Sequence, residues 1–261
     1  MIAERPMEYV EVTVDGAVAL VRLNRPPVNA LAADVALELR EAFEYCADPD
    51  IRAVVVTGEP HFAAGADIKG FQATFDAGGK ERSASTLQEA ITALELLEKP
   101  TIAAVHGYAL GGGLELAMGA DFRYLAEDAK VGQPEILLGL IPGAGGTQRL
   151  ARLVGYQRAK ELVFTGRQVT AEEAFEIGLA DKVFPTDQLL DVTMTEAGEW
   201  ARRPTRAIAA AKRAMNSGFG LPVSEGLLVE RDAFNDSFQT EDAREGVAAF
   251  IAKREAEFRG R

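Results

Sequence analysis

The sequence predicts an α/β core followed by a mostly helical carboxyl-terminal region. Three patterns carry that expectation. Short apolar runs such as AVVV at 53–56 and TIAAV at 101–105 alternate with amphipathic helical stretches through the first half of the chain, the signature of parallel strands linked by helices. Residues 8–24 alternate apolar and polar side chains around Asp15-Gly16, a dipeptide suited to the positive φ angles of a tight turn, so a β-hairpin opens the fold. After residue 145 the character changes to successive helical segments, several of them ending in glycine.

Taken in order, apolar Val35, Leu37, Leu39 and Phe43 predict an amphipathic helix over 32–47, and IRAVVVTG at 51–58 reads as a buried strand. The polar stretch from Glu59 to Ser85 contains Gly65, Gly70 and Gly78-Gly79 and is a candidate active-site loop. A helix over 85–99 ends at Pro100, TIAAVHG forms the next buried strand, and helical composition follows the triple glycine as far as Gly119. DFRYLA at 121–126 is a further strand. Thr170 and Glu173 have capping-box spacing, which makes TAEEAFEIGLADKVFP a short helix followed by a short strand. Long helical stretches are expected at 186–202, 204–217 and 222–258, which divides the chain into a core, 1–195, and a helical region, 196–261.

Composition narrows the function classes. Of the 261 residues 48% are hydrophobic and 26% charged, an ordinary globular balance, and the longest apolar runs are far too short to span a bilayer. No membrane association is expected. The segment MIAERPMEYVEV has no apolar signal core, so the expected location is the cytoplasm, or an organelle matrix if a transit peptide was removed. Cys46 is the one cysteine, which rules out a disulfide within the chain. A net charge of −12 repels a phosphate backbone and argues against nucleic acid as a partner. The Rossmann alternative fails on detail, because GYALGGGLE lacks the GxGxxG order and Gln148 stands where the third glycine of GAGGTQRL would fall. No GxxxxGK[ST] phosphate loop is present.

The chemistry concentrates between Ile102 and Pro142. Glu115 follows the triple glycine, Glu135 lies in GQPEILLG, and both have apolar neighbours. Carboxylates in such surroundings are costly to bury unless paired or neutralised, so raised pKa values and acid/base work are expected of both. Gly111-Gly112-Gly113, between a strand and a helix, would let a ligand carbonyl approach backbone N–H groups at a helix start. The glycines alone are better read as a tight, closely packed turn, and Glu115 alone fits a first-turn carboxylate favoured by the helix dipole. In HFAAGADIKGF at 61–71 the small residues at 63–66 would allow a second N–H, that of Ala66, to point inward. A plain surface turn with Asp67 and Lys69 in water is the alternative.

AAGADIKGF, VHGYALGGGLELAMGADFRYL, GQPEILLGLIPGAGGTQRLARLVG and FTGRQVTAEEAFEIGLADKVFP resemble, in this order, the signature blocks of the enoyl-CoA hydratase/isomerase (crotonase) superfamily. LNRPPVNAL at 23–31 and EGVAAFIAKREAEF at 245–258 resemble its terminal segments, so the similarity covers nearly the whole chain. The resemblance implies a crotonase-like α/β fold, a spiral of ββα units with carboxyl-terminal helices that mediate trimerisation, commonly into a hexamer of two trimers. It implies an acyl-CoA thioester as substrate and no further cofactor or metal. By position, Ala66 and Gly112 match the family's oxyanion-hole donors, and Glu115 and Glu135 match the catalytic pair of its hydratases. Ala64, Asp67, Ile68, Lys69, Gly111, Pro134 and Gly143 complete the substrate-binding set that the resemblance implies.

Hydration of an α,β-unsaturated thioester requires a base for water, a proton for Cα and stabilisation of an enolate. Two carboxyl groups and two N–H donors meet those demands, with Glu115 activating water and Glu135 supplying the proton. A Δ3-Δ2-enoyl-CoA isomerase or a 3-methylglutaconyl-CoA-type hydratase on the same scaffold is the alternative; retention of both glutamates favours hydration. His61 and His106 lack a nearby nucleophile motif such as GxSxG, and His106 is expected to be a strand-end residue with satisfied hydrogen bonds. Trp200, Phe71 and Phe75 are candidates for an acyl pocket or for plain core. Lys69, Lys253 and Arg254 are candidates for CoA phosphates or for solvated surface charge.

Overall fold

The structure, a computed structural model, describes residues 7–68, 76 and 83–261. In chain order the elements are β1 (Val10–Asp15), β2 (Val18–Leu23), α1 (Ala33–Tyr45), β3 (Ala53–Gly58), α2 (Ser83–Leu96), β4 (Thr101–Val105), β5 (Tyr108–Leu110) and α3 (Gly112–Gly119). They continue with β6 (Phe122–Ala126), β7 (Lys130–Gly132), a 3-10 helix (Pro134–Leu138), α4 (Gly146–Val154), α5 (Tyr156–Thr165), β8 (Gln168–Thr170), α6 (Ala171–Glu176) and β9 (Lys182–Phe184). Four helices close the chain: α7 (Leu189–Ala201), α8 (Thr205–Gly218), α9 (Val223–Ser237) and α10 (Glu241–Ala252).

Two sheets result. The larger has the order β1-β2-β3-β4-β6-β9, antiparallel at β1/β2 and parallel from β2 onward. Its central strands β3 and β4 are buried at every residue, which is why AVVVTG and TIAAV are continuous apolar runs rather than alternating ones. The smaller sheet, β5-β7-β8, consists of three-residue strands. Its strands β5 and β7 lie outside the main sheet and end next to the triple glycine and to Gln133.

Several expectations shift in detail. The hairpin turn falls on Gly16-Ala17, since Asp15 still pairs with Val18, and it is Gly16 that adopts a positive φ of 58°. On α1, Val35, Leu39 and Phe43 are buried but Leu37 is 42% exposed, so the buried stripe is narrower than the count of apolar residues suggests. That stripe includes a charge. Buried Glu38 accepts hydrogen bonds from the N–H groups of Glu8, Tyr9 and Val10 (3.0, 2.7 and 3.1 Å) and so anchors the start of β1. Thr170 caps α6 by accepting from the Glu173 N–H, but the Glu173 carboxylate pairs with Arg167 instead of completing a capping box.

The helical stretch 222–258 divides into α9 and α10, with Thr240 capping the second of them. A boundary at 195/196 would cut through α7, which packs on the main sheet over β2, β3, β4 and β6. Trp200 of that helix stacks on Phe122 with ring centroids 5.5 Å apart and belongs to this packing layer. Among the described residues no helix is long and apolar enough to cross a membrane.

Candidate active site

Three chain segments meet at the carboxyl-terminal ends of β3, β5 and β7. The first, 59–68, is held by a parallel bridge between Leu31 and Ala66. In that bridge Leu31 N–H donates to Gly65 O (2.8 Å) and Asp67 N–H donates to Leu31 O (3.1 Å). The pairing uses the neighbours of Ala66, so the Ala66 N–H faces the other way. Arg25 fixes the same loop through an ion pair with Asp67 (2.8 Å), and Asn29, at a positive φ of 53°, donates to His61 O (2.7 Å).

On the opposite side lies the start of α3. A β-carbon built on Gly112 would sit 3.7 Å from Ala66 N and 2.9 Å from a Leu87 methyl. With standard backbone geometry the two amide nitrogens are then no more than about 6 Å apart, close enough for one oxygen to accept from both. Gly112 is the first residue of a helix, so its N–H has no partner within α3. Gly111 adopts φ 52° and ψ −123°, which only glycine tolerates without strain, and a β-carbon there would lie 3.0 Å from Glu135 Oε1.

Glu115 is 2% exposed on the first turn of α3. Its Oε1 accepts two hydrogen bonds, from the N–H groups of Ala144 and Gly146, both at 2.7 Å. Among the described residues no protein donor reaches Oε2. Burial pushes its carboxyl above the ordinary range, opposed by those two amides and by the nearby charge of Arg149. Glu135 is half-buried on the 3-10 helix that Pro134 starts and Gly139 ends in a left-handed conformation. Burial, reinforced by the negative charge of Glu115, pushes its carboxyl up to about 7. Fully buried Gln133, with its amide nitrogen turned to Glu135, donates to both carboxylate oxygens at 3.0 and 3.2 Å.

The structure thus brings Ala66, Gly111, Gly112, Glu115, Pro134 and Glu135 to one place. Ala64 donates its N–H to Val28 O (3.0 Å) in the same loop, Ile68 is 61% exposed at its far end, and Gly143 is exposed beside the Ala144 donor. Lys69, Phe71 and Phe75 lie outside the described residues. Three contributors went unnoticed in the sequence: Gln133, the Ala144 and Gly146 amides, and Leu87 with Leu31 against Gly112. Only their neighbourhood, in GQPE and GAGG, hinted at them.

His106 departs from its expected role. It is buried, but among the described residues its Nε2 has no hydrogen-bond partner, and Glu59 Oε1 stands 3.5 Å away. Burial lowers its pKa, opposed by the nearby charge of Glu59. His61 Nδ1 accepts from the Tyr108 N–H (3.3 Å) and its ring packs on Tyr108. Lys253 ends α10 in a left-handed conformation, and Arg254 pairs with Glu245 at 2.6 Å. Among the described residues no group of three or more His, Cys, Asp or Glu side chains could hold a metal ion.

Two backbone donors within reach of one oxygen, beside two carboxyls of raised pKa, form an arrangement that can stabilise an enolate oxygen while protons move at adjacent carbons. Comparison with known proteins agrees with that class. A family model described as enoyl-CoA hydratase/isomerase matches residues 13–261, and the chain belongs to this family. It is 44% identical, over 96% of its length and 98% of the relative's, to a Mycobacterium tuberculosis protein named probable enoyl-CoA hydratase. It is 42% identical, over 92% and 94% of the two chains, to the crotonyl-CoA hydratase of Syntrophomonas wolfei. The crystal structure of the enoyl-CoA hydratase from Bacillus anthracis superposes with a TM-score of 0.92 at 36% identity, covering 97% of this chain and all of that one. The crotonase-like fold expected from the sequence is therefore the observed one.

Proposed function

We propose that this protein is an enoyl-CoA hydratase, adding water across the double bond of a trans-2-enoyl-CoA to give a 3-hydroxyacyl-CoA. The observation that carries the reading is the placement of both glutamates beside the paired Ala66 and Gly112 amides. An isomerase needs one proton shuttle, whereas hydration needs a group for water and a group for Cα. The relatives named crotonyl-CoA hydratase and short-chain-enoyl-CoA hydratase support a short acyl chain.

In this scheme the thioester oxygen accepts from Ala66 N–H and Gly112 N–H, which stabilise the enolate as it forms, each on the order of 3 kcal/mol. Glu115, ionised and pinned through Oε1, takes a proton from water at Oε2 as the oxygen bonds to Cβ. Glu135, protonated near neutral pH because its carboxyl sits at about 7, delivers a proton to Cα. The new C–O and C–H bonds consume the C=C π bond and one O–H bond of water; Glu115 is left protonated and Glu135 ionised, and passage of that proton back to Glu135 restores the pair for the next turnover. The scheme uses the CoA thioester and no other cofactor.

The same reading extends to assembly. Phe219, Phe234, Phe238, Val247, Phe250 and Ile251 are 59–85% exposed on and between the last three helices, an apolar cover that supports self-association into a trimer or a pair of trimers. The acidic balance weighs against a nucleic-acid partner, and a cytoplasmic or matrix location belongs to the same proposal. Incubation with crotonyl-CoA followed by mass spectrometry tests the activity: a product heavier by one water, identical to 3-hydroxybutyryl-CoA, is expected. Quantitative recovery of unchanged or double-bond-shifted substrate would refute it. Light scattering on the eluted protein tests the assembly, which a monomer would refute.

A further inference from the structure

Arg149 stands on the first turn of α4, outside the reacting set, with its side chain only 13% exposed. Its guanidinium has three attachments. One terminal nitrogen donates to Ala144 O at 3.0 Å, while Nε and the other terminal nitrogen donate to the Glu95 carboxylate of α2 at 3.3 and 2.5 Å. The same nitrogen that holds Ala144 would lie 2.0 Å from a β-carbon on Gly145, whose φ is 111°. The guanidinium therefore presses one terminal nitrogen against the backbone of the very segment that serves Glu115, since Ala144 and Gly146 supply the two amides bound to Oε1.

We propose that Arg149 is a positioning residue for Glu115: anchored by Glu95, it fixes the 144–146 backbone so that both amides meet Oε1 and Oε2 stays open to water. This rests on the proposed role of Glu115 as the group that activates water. A partly exposed ion pair contributes little to stability by itself, and a planar fork that grips a carboxylate and a carbonyl together is a means of fixing geometry. The charge has a second effect. Among the described residues Glu115 meets like charge from Glu135 on the 3-10 helix, amide dipoles from the start of α4, and the positive charge of Arg149, partly neutralised by Glu95 of α2; Arg149 lowers the Glu115 pKa against the rise caused by burial.

The test uses full-length Arg149→Gln, Arg149→Lys and Glu95→Gln proteins beside Glu115→Gln, each checked for native folding. Arg149→Gln is expected to lower kcat by up to about 100-fold, the scale of a misplaced reacting group, with KM for crotonyl-CoA little changed, and to move the acidic limb of the kcat/KM profile to higher pH. Arg149→Lys, which keeps the charge but cannot span both acceptors, should return the limb to its wild-type position with only part of kcat. Glu95→Gln keeps the guanidinium charge and loosens its anchor, so kcat should fall while the limb moves no higher than in wild type; should Arg149→Gln not fold, these two proteins decide the matter. Folded variants with wild-type kcat and an unmoved limb, or with lowered melting temperature and nothing else changed, would overturn the proposal. If Glu115→Gln itself kept full hydratase activity, the underlying role of Glu115 would fall instead.

Discussion

Gly111 makes room for Glu135: a β-carbon on the glycine would stand 3.0 Å from the carboxylate oxygen. The same residue accepts the Glu115 N–H through its carbonyl (2.9 Å) and donates its own N–H to Gly132 O (2.9 Å). One residue without a side chain thus joins the helix that bears Glu115 to the strand that leads to Glu135. This junction explains why two carboxyls from different segments face one space between them, and why a shared electrostatic field follows.

Gly112→Ala tests the oxyanion site without touching an ionisable group. The added methyl would meet Leu87 at 2.9 Å and fill space 3.7 Å from Ala66 N. The amide N–H remains, so the methyl acts by crowding the oxygen between the two donors, and we expect kcat for crotonyl-CoA to fall by about 100-fold, the scale of impaired oxyanion stabilisation, with circular dichroism unchanged. Retained kcat would show that the thioester oxygen binds elsewhere.

The pH dependence follows from the pair. Hydration needs an ionised group at Glu115 and a protonated one at Glu135, and Glu135 titrates at about 7. The kcat/KM profile should therefore be bell-shaped, with an alkaline limb near neutrality and an acidic limb above the ordinary carboxylate range because burial raises Glu115. The two apparent values belong to the pair rather than to either residue. A flat profile from pH 5 to 9 would contradict the assignment.

Glu135 also links pH to stability. Its folded pKa lies above the ordinary 4.5, so its contribution is fully present below about 4.5 and is lost as pH rises through about 7. Ionised Glu135 then costs on the order of 1–3 kcal/mol above pH 7, and the neutral isostere in Glu135→Gln removes that cost. Thermal melts at pH 8 should show the variant more stable than wild type, with the difference shrinking toward pH 5. An equal or lower melting temperature at pH 8 would refute it.

Leu87 and Leu31 press on Gly112, at 2.9 and 3.6 Å from its β-carbon position, and so border the place where an acyl chain meets the oxyanion donors. Leu87→Ala should raise the ratio of kcat/KM for a 2-methyl-branched enoyl-CoA over that for crotonyl-CoA about tenfold, the scale of one or two methylene-sized contacts. An unchanged ratio would place the substrate's Cα away from Leu87.

The fold and the glutamate pair were legible because their signals are local. AVVV and TIAAV are buried on both faces and so are continuous apolar runs, while Glu115 and Glu135 are conspicuous among apolar neighbours. The three-residue strands β5, β7 and β8 were not legible, since they are too short for any periodicity and are defined by partners far along the chain. The strand read as 101–107 therefore concealed a break at His106-Gly107, after which a separate strand delivers the triple glycine. Gln133 and Arg149 escaped notice for a related reason. A glutamine in GQPE and an arginine in TQRL are ordinary in sequence, and what they do depends on Glu135 and on the Ala144 carbonyl standing where tertiary structure puts them.

The most direct measurement is the loss of conjugated thioester absorbance when crotonyl-CoA meets wild-type, Glu115→Gln and Glu135→Gln proteins under identical conditions. The account predicts rapid loss with wild type and large reductions of kcat, by about 100-fold or more, in both variants, which remain folded and bind CoA product. Undiminished turnover in either variant would contradict a mechanism in which the two glutamates divide the work of activating water and protonating Cα.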